Sequence, residues 1–182
     1  SIVRPMAQLS IRDHRRDSSG MTYVYPVVSR RAGGVSLGIN LNPNNACNWH
    51  CIYCQVPNLG RGGPPPIDLD LLARELDMML DDLLKGEFLV RRVPAALRHL
   101  VDIAFSGNGE PTSAREFPDA VTVAVDAMAR HRLTNGVKLR LITNGSLIDR
   151  RPVRRGLELL SRAGGEVWFK VDAADARSLA RI

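Results

Sequence analysis

The chain has 182 residues, the length of one ordinary domain, and 45% of them are hydrophobic, enough for a core. No stretch reaches the ~18 unbroken apolar residues of a membrane span, and the N-terminus lacks the apolar run of a secretion signal. The formal net charge is +6, and the cations are nearly all arginine, with lysine only at Lys85, Lys138 and Lys170. Arginine suits bidentate phosphate contacts, which admits a polyanionic partner; a genome rich in arginine codons explains the same bias without one.

Residues 1–34 read as a lead-in, polar and basic, with one short strand over 21–29 that Gly33 and Gly34 end. From residue 35 the pattern changes, and 35–182 read as the core domain. The run "VSLGINL" predicts a buried strand, and "GRGGPPP" at 60–66 a loop. Leu69, Leu72, Leu76, Met79 and Leu83 recur at spacings of three and four, which places them on one helical face. Asp68 and Asp70 suit the positive end of that helix, and Gly86 suits its stop. Strands follow at 101–105, 138–144 and 166–172, with helices from Phe117 and Arg151 between them and a helix opening after the last. Pro118 falls in a first helical turn, where its missing N–H costs nothing.

Strand and helix therefore alternate four times, which argues for an α/β fold with a parallel sheet and right-handed crossovers. Ligands on such sheets bind at the carboxyl ends of the strands. The unusual residues all fall there. The cysteines follow the first strand of the series, "SGNGEPT" the second and "TNGS" the third, while Lys170 and Asp172 end the fourth.

Every cysteine lies in "ACNWHCIYCQVP", as Cys47, Cys51 and Cys54 in a C-x3-C-x2-C spacing. Three thiols cannot all pair, and the spacing suits a metal site in a reducing, cytosolic compartment. A closed structural zinc site or a complete cluster takes four protein ligands, so three leave a position open for something exchangeable. A zinc site completed by a histidine is the alternative, although His50 is held inside the loop.

This spacing, with Tyr53 just before the last cysteine, resembles the motif of the radical S-adenosylmethionine (SAM) superfamily. "FSGNGEPT", "LITNGSL" and "VWFKVDAAD" extend the resemblance over about residues 35–180, towards a branch related to wyosine-tRNA synthesis proteins. The resemblance implies a [4Fe–4S] cluster on Cys47, Cys51 and Cys54, with S-adenosylmethionine chelating the fourth iron. By the same likeness Gly107, Asn108, Gly109 and Glu110 match the Gly-Gly-Glu motif that holds the S-adenosylmethionine amino group, with Asn108 replacing the first glycine. Asn144, Lys170 and Asp172 match positions near the ribose, carboxylate or substrate, and Tyr53 packs near the adenine. An electron donor such as flavodoxin or ferredoxin is implied, and an RNA or a peptide is a candidate substrate.

The family barrel usually has six βα units against four here, so the resemblance implies a partial barrel and a chain that is a fragment. With all three thiols used, none is left for an auxiliary cluster. The competing function class is a metal-binding regulatory module with no catalysis.

Overall fold

The computed structural model describes residues 9–10, 19–29, 32–133 and 135–170. Its sheet has five strands in the order β1 (Val24–Ser29), β2 (Gly34–Ile39), β5 (Leu100–Phe105), β6 (Lys138–Thr143) and β7 (Glu166–Phe169). β2, β5, β6 and β7 are parallel, as the alternation predicts. β1, from the lead-in, runs antiparallel along the whole of β2. Between them come two short strands that pair only with each other, β3 (Ala46–Cys47) and β4 (Gly60–Arg61).

The crossovers are α1 (Leu69–Leu84), α3 (Phe117–Arg130) and α4 (Arg151–Arg162); α2 (Phe88–Arg92) is a short turn of helix after α1 that sequence periodicity did not reveal. α1 packs on α3 and α3 on α4. Parallel strands with helices between them, not closed into a barrel, are what the sequence pattern led us to expect. No helix among the described residues is long and apolar enough to cross a membrane.

Alternation within each strand sorts the two faces of the sheet. Leu37, Ile39, Ile103, Phe105, Leu139 and Leu141 are fully buried in one cluster with Leu72, Leu76 and Leu80 of α1 and Phe117 and Val121 of α3. Phe105 meets Phe117 edge to face, ring centroids 5.8 Å apart. Asp68 caps α1 by accepting from the Leu71 N–H at 2.9 Å. One polar side chain of α1 is also buried: the Glu75 carboxylate accepts from the N–H groups of Thr22, Tyr23 and Val24 at 2.7, 2.7 and 3.1 Å, and so docks the start of β1.

The alternate positions carry a charged row across four strands. Ser36 donates to Asp102, which also pairs with Arg140, and Arg140 Nε donates to Glu166 at 3.0 Å. The Arg140 guanidinium lies 4.5 Å from the centre of the Trp168 ring, whose Nε1 donates to Glu166 at 3.2 Å. Arg140 holds the Glu166 carboxyl below its ordinary range, with Trp168 adding to the effect.

Candidate active site

The loop after β2 is built by asparagines. Asn40, Asn42, Asn44, Asn45 and Asn48 fall within nine residues, and a short amide side chain bonds readily to nearby backbone and to other amides. Asn40 Oδ1 accepts from Asn42 N at 3.0 Å and from Asn108 N at 3.1 Å, tying the loop to the turn after β5. Asn42 Nδ2 donates to the Ala46 carbonyl at 3.0 Å. Asn45 takes a left-handed backbone, φ 54°, which asparagine tolerates better than most residues. Its Oδ1 accepts from Asn108 Nδ2 at 2.6 Å and its Nδ2 donates to the Pro57 carbonyl at 3.1 Å. The β3–β4 pairing then closes the loop, leaving Cys51 and Cys54 on the segment between.

Cys47, Cys51 and Cys54 are free thiols lining one cleft of about 220 Å³. Trp49, Tyr53, Val56 and Leu59 give the cleft an apolar wall, with Tyr53 47% exposed. The 107–110 turn also lines the cleft, with Asn144 and Lys170 from the ends of β6 and β7. The structure thus brings together Tyr53, Gly107, Asn108, Gly109, Glu110, Asn144 and Lys170 around the three thiols; Asp172 lies outside the described residues. His50 is exposed and does not line this cleft; it lines an adjoining groove that shares Cys51 and Cys54 with it.

Burial pushes the Cys47 thiol above its ordinary range, and the nearby Glu110 adds to the effect against a lowering backbone hydrogen bond from Trp49. A metal would therefore have to displace the proton on binding. Among the described residues no three His, Cys, Asp or Glu side chains converge on a single ion. One zinc ion needs its ligands in a common shell, with sulfur at ~2.3 Å. The thiolates of a four-iron cluster each take a different iron and need only surround a shared space, and three thiols around one cleft fit that demand.

Gly109 is required by crowding, because a side chain there would run into the Ala46 carbonyl and the Asn42 amide. At Gly107 it would meet Asn40. Glu110 is 2% exposed. Its Oε1 accepts from Thr112 N, Thr112 Oγ1 and Thr143 Oγ1 at 3.2, 2.6 and 2.6 Å, and its Oε2 from Asn144 N at 2.8 Å. The carboxylate thus joins the turn after β5 to the end of β6, and Oε2 keeps one lone pair for a further donor. The "TNGS" motif placed Thr143 and Ser146 at the rim without giving them a role, and Asn48 was not singled out; each bonds to a residue that lines the cleft, Thr143 to Glu110 and the other two to Asn144.

The chain is 32% identical over 156 residues to the UPF0026 protein MJ1312 of Methanocaldococcus jannaschii, an alignment covering 84% of this chain and 40% of that protein. It is 26% identical over 135 residues to the GTPase Obg of Brachyspira hyodysenteriae, covering 72% of this chain and 17% of that protein. The chain therefore spans less than half the length of either relative. No solved structure matches it. The family model of the radical SAM superfamily matches residues 41–182, which include the cysteine loop and every strand end of the cleft, and the chain belongs to that superfamily.

Proposed function

We propose that the chain carries the cofactor site of a radical SAM enzyme acting on a substrate outside the cleft walls described here. The observation that carries this reading is the convergence of three free thiols, the 107–110 turn and Asn144 on one cleft. When bound, a [4Fe–4S] cluster and S-adenosylmethionine supply reductive cleavage of the sulfonium, giving methionine and a 5′-deoxyadenosyl radical that abstracts hydrogen from the substrate.

In this reading Cys47, Cys51 and Cys54 hold three irons and leave the fourth for S-adenosylmethionine. The carbonyls of the 107–110 turn and the remaining Glu110 Oε2 lone pair receive its amino group. Lys170 offers the cleft a positive charge for its carboxylate, and Asn144 offers an N–H. Trp49 and Tyr53 wall off the apolar side, where a nucleobase gains from stacking. Electrons come from a donor protein such as flavodoxin or ferredoxin. The arginine surplus favours an RNA substrate over a peptide. The likeness to a GTPase supplies no second reading, because these residues contain no G-x-x-x-x-G-K-[ST] phosphate loop.

Anaerobic reconstitution tests the proposal. It should load about four irons and four sulfides per chain, and the reduced protein should release 5′-deoxyadenosine from S-adenosylmethionine. Stoichiometric zinc without sulfide would overturn the cluster. A cluster that never cleaves S-adenosylmethionine would favour the regulatory module instead.

A further inference from the structure

Three side chains form a closed hydrogen-bond ring between the cysteine loop and the end of β6. Asn48 Nδ2 donates to Ser146 Oγ at 2.7 Å. Ser146 Oγ donates to Asn144 Oδ1 at 2.7 Å. Asn144 Nδ2 donates back to Asn48 Oδ1 at 3.2 Å. Each member gives one hydrogen and takes one, an arrangement in which hydrogen bonds polarise one another.

Both ends of the ring are anchored. On the strand side, Asn144 N and Thr143 Oγ1 are bound to the buried Glu110 carboxylate. On the loop side, Asn48 is the neighbour of Cys47, whose Sγ lies 3.7 Å from Asn48 Oδ1. Apolar burial does little to place this stretch, since Ile52 is 72% exposed and Tyr53 nearly half exposed. The hydrogen bonds carry its position.

We propose that Asn48 is a positioning residue, and that the Asn48–Ser146–Asn144 ring is a latch holding the Cys47 side of the loop against β6 before any cofactor binds. The latch also sets what Asn144 offers a ligand. Both lone pairs of its Oδ1 are taken, by Ser146 Oγ and by Ser146 N at 3.0 Å. One Nδ2 hydrogen is left, so Asn144 serves as a donor to an acceptor oxygen and does not receive a hydroxyl. This second consequence rests on the proposed cofactor reading; the latch itself does not.

The test has two arms, both on the 182-residue chain. In the first, metal-free protein is digested briefly with chymotrypsin, and cleavage after Trp49 and Tyr53 is timed. Asn48→Ala removes both bonds that tie the loop to the strand end, so it should speed cleavage about thirtyfold, the equivalent of two hydrogen bonds of ~1 kcal/mol each. Ser146→Ala, which leaves the Asn144–Asn48 bond, should speed it about fivefold, Ser146→Thr should restore the wild-type rate, and the Asn48→Ala/Ser146→Ala double variant should be no faster than Asn48→Ala alone. A wild-type rate in Asn48→Ala, or additive effects in the double variant, would overturn the latch.

The second arm titrates reconstituted protein with S-adenosylmethionine and follows the electron paramagnetic resonance signal of the reduced cluster. Asn48→Ala should load as much iron as wild type yet require about tenfold more S-adenosylmethionine for the spectral change. An unchanged requirement would overturn the link to Asn144. If wild-type protein shows no such change, the cofactor reading fails, and the digestion arm still decides the latch.

Discussion

The helix-covered face of the sheet and the cysteine loop sit a few residues apart and are held by different forces. Under the helices, Leu37, Ile39, Ile103, Phe105 and Leu141 are wholly buried. Burial there stabilises at about 25 cal/mol per Å² and is indifferent to direction. In the loop, Asn40, Asn42, Asn45 and Asn48 fix the chain through hydrogen bonds of about 1 kcal/mol each that work at one geometry only. The fold should therefore survive changes that disable the loop, whereas damage to the core should take both away.

The largest effect should come from the core. Phe105→Ala should cost about 3–5 kcal/mol by denaturant unfolding. A loss under ~1 kcal/mol would show that the Phe105–Phe117 contact does not organise the sheet.

Glu110, where the two regions meet, comes next. Glu110→Ala strands the Asn144 and Thr112 N–H groups and the two threonine hydroxyls, so it should cost about 2–3 kcal/mol and also weaken S-adenosylmethionine binding, while the cluster still assembles. Wild-type stability with normal cofactor affinity would mean that the carboxylate holds neither region.

Cys54→Ala should change stability by no more than ~0.5 kcal/mol, because the side chain is exposed, yet abolish a stable four-iron cluster. A large loss of stability in the metal-free variant would break the separation between loop and core.

The smallest effect belongs to the charged row. Glu166 titrates below the ordinary glutamate value of 4.5 because Arg140 favours its charged form. A depressed carboxyl contributes stability that is present above the unfolded value and is lost as pH falls through the folded one. The stability difference between wild type and Glu166→Gln should thus be visible at about pH 7 and fade as the pH falls below the ordinary glutamate value. A difference that grows on acidification would reverse the sign of that interaction.

Much of this was legible in the residues. The leucine spacing of α1 foretold its buried face, with Leu72, Leu76, Met79 and Leu83 all inside. The parallel pairing of β2, β5, β6 and β7 and the common rim followed from alternation and from the rule that ligands meet the strand ends. Glu75 was not legible, since a glutamate on an amphipathic helix reads as solvent-facing until β1 is seen to begin at it. Asn108 looked like a departure from a glycine motif. Its side chain proves to be a tie to Asn45, 63 residues earlier in the chain.

The sequence by itself determined the order of elements, the cysteine spacing and the gathering of polar residues at one rim, because periodicity and motif spacing are written along the chain within a few residues. Only the tertiary structure decided which polar groups meet. Asn48 and Ser146 are 98 residues apart, and Ser36, Asp102, Arg140 and Glu166 come from four different strands. Their contacts depend on strand register and crossover packing. Those are set by the burial of Leu37, Ile103 and Leu141 on the far side of the same sheet, a non-local sum that no local pattern records.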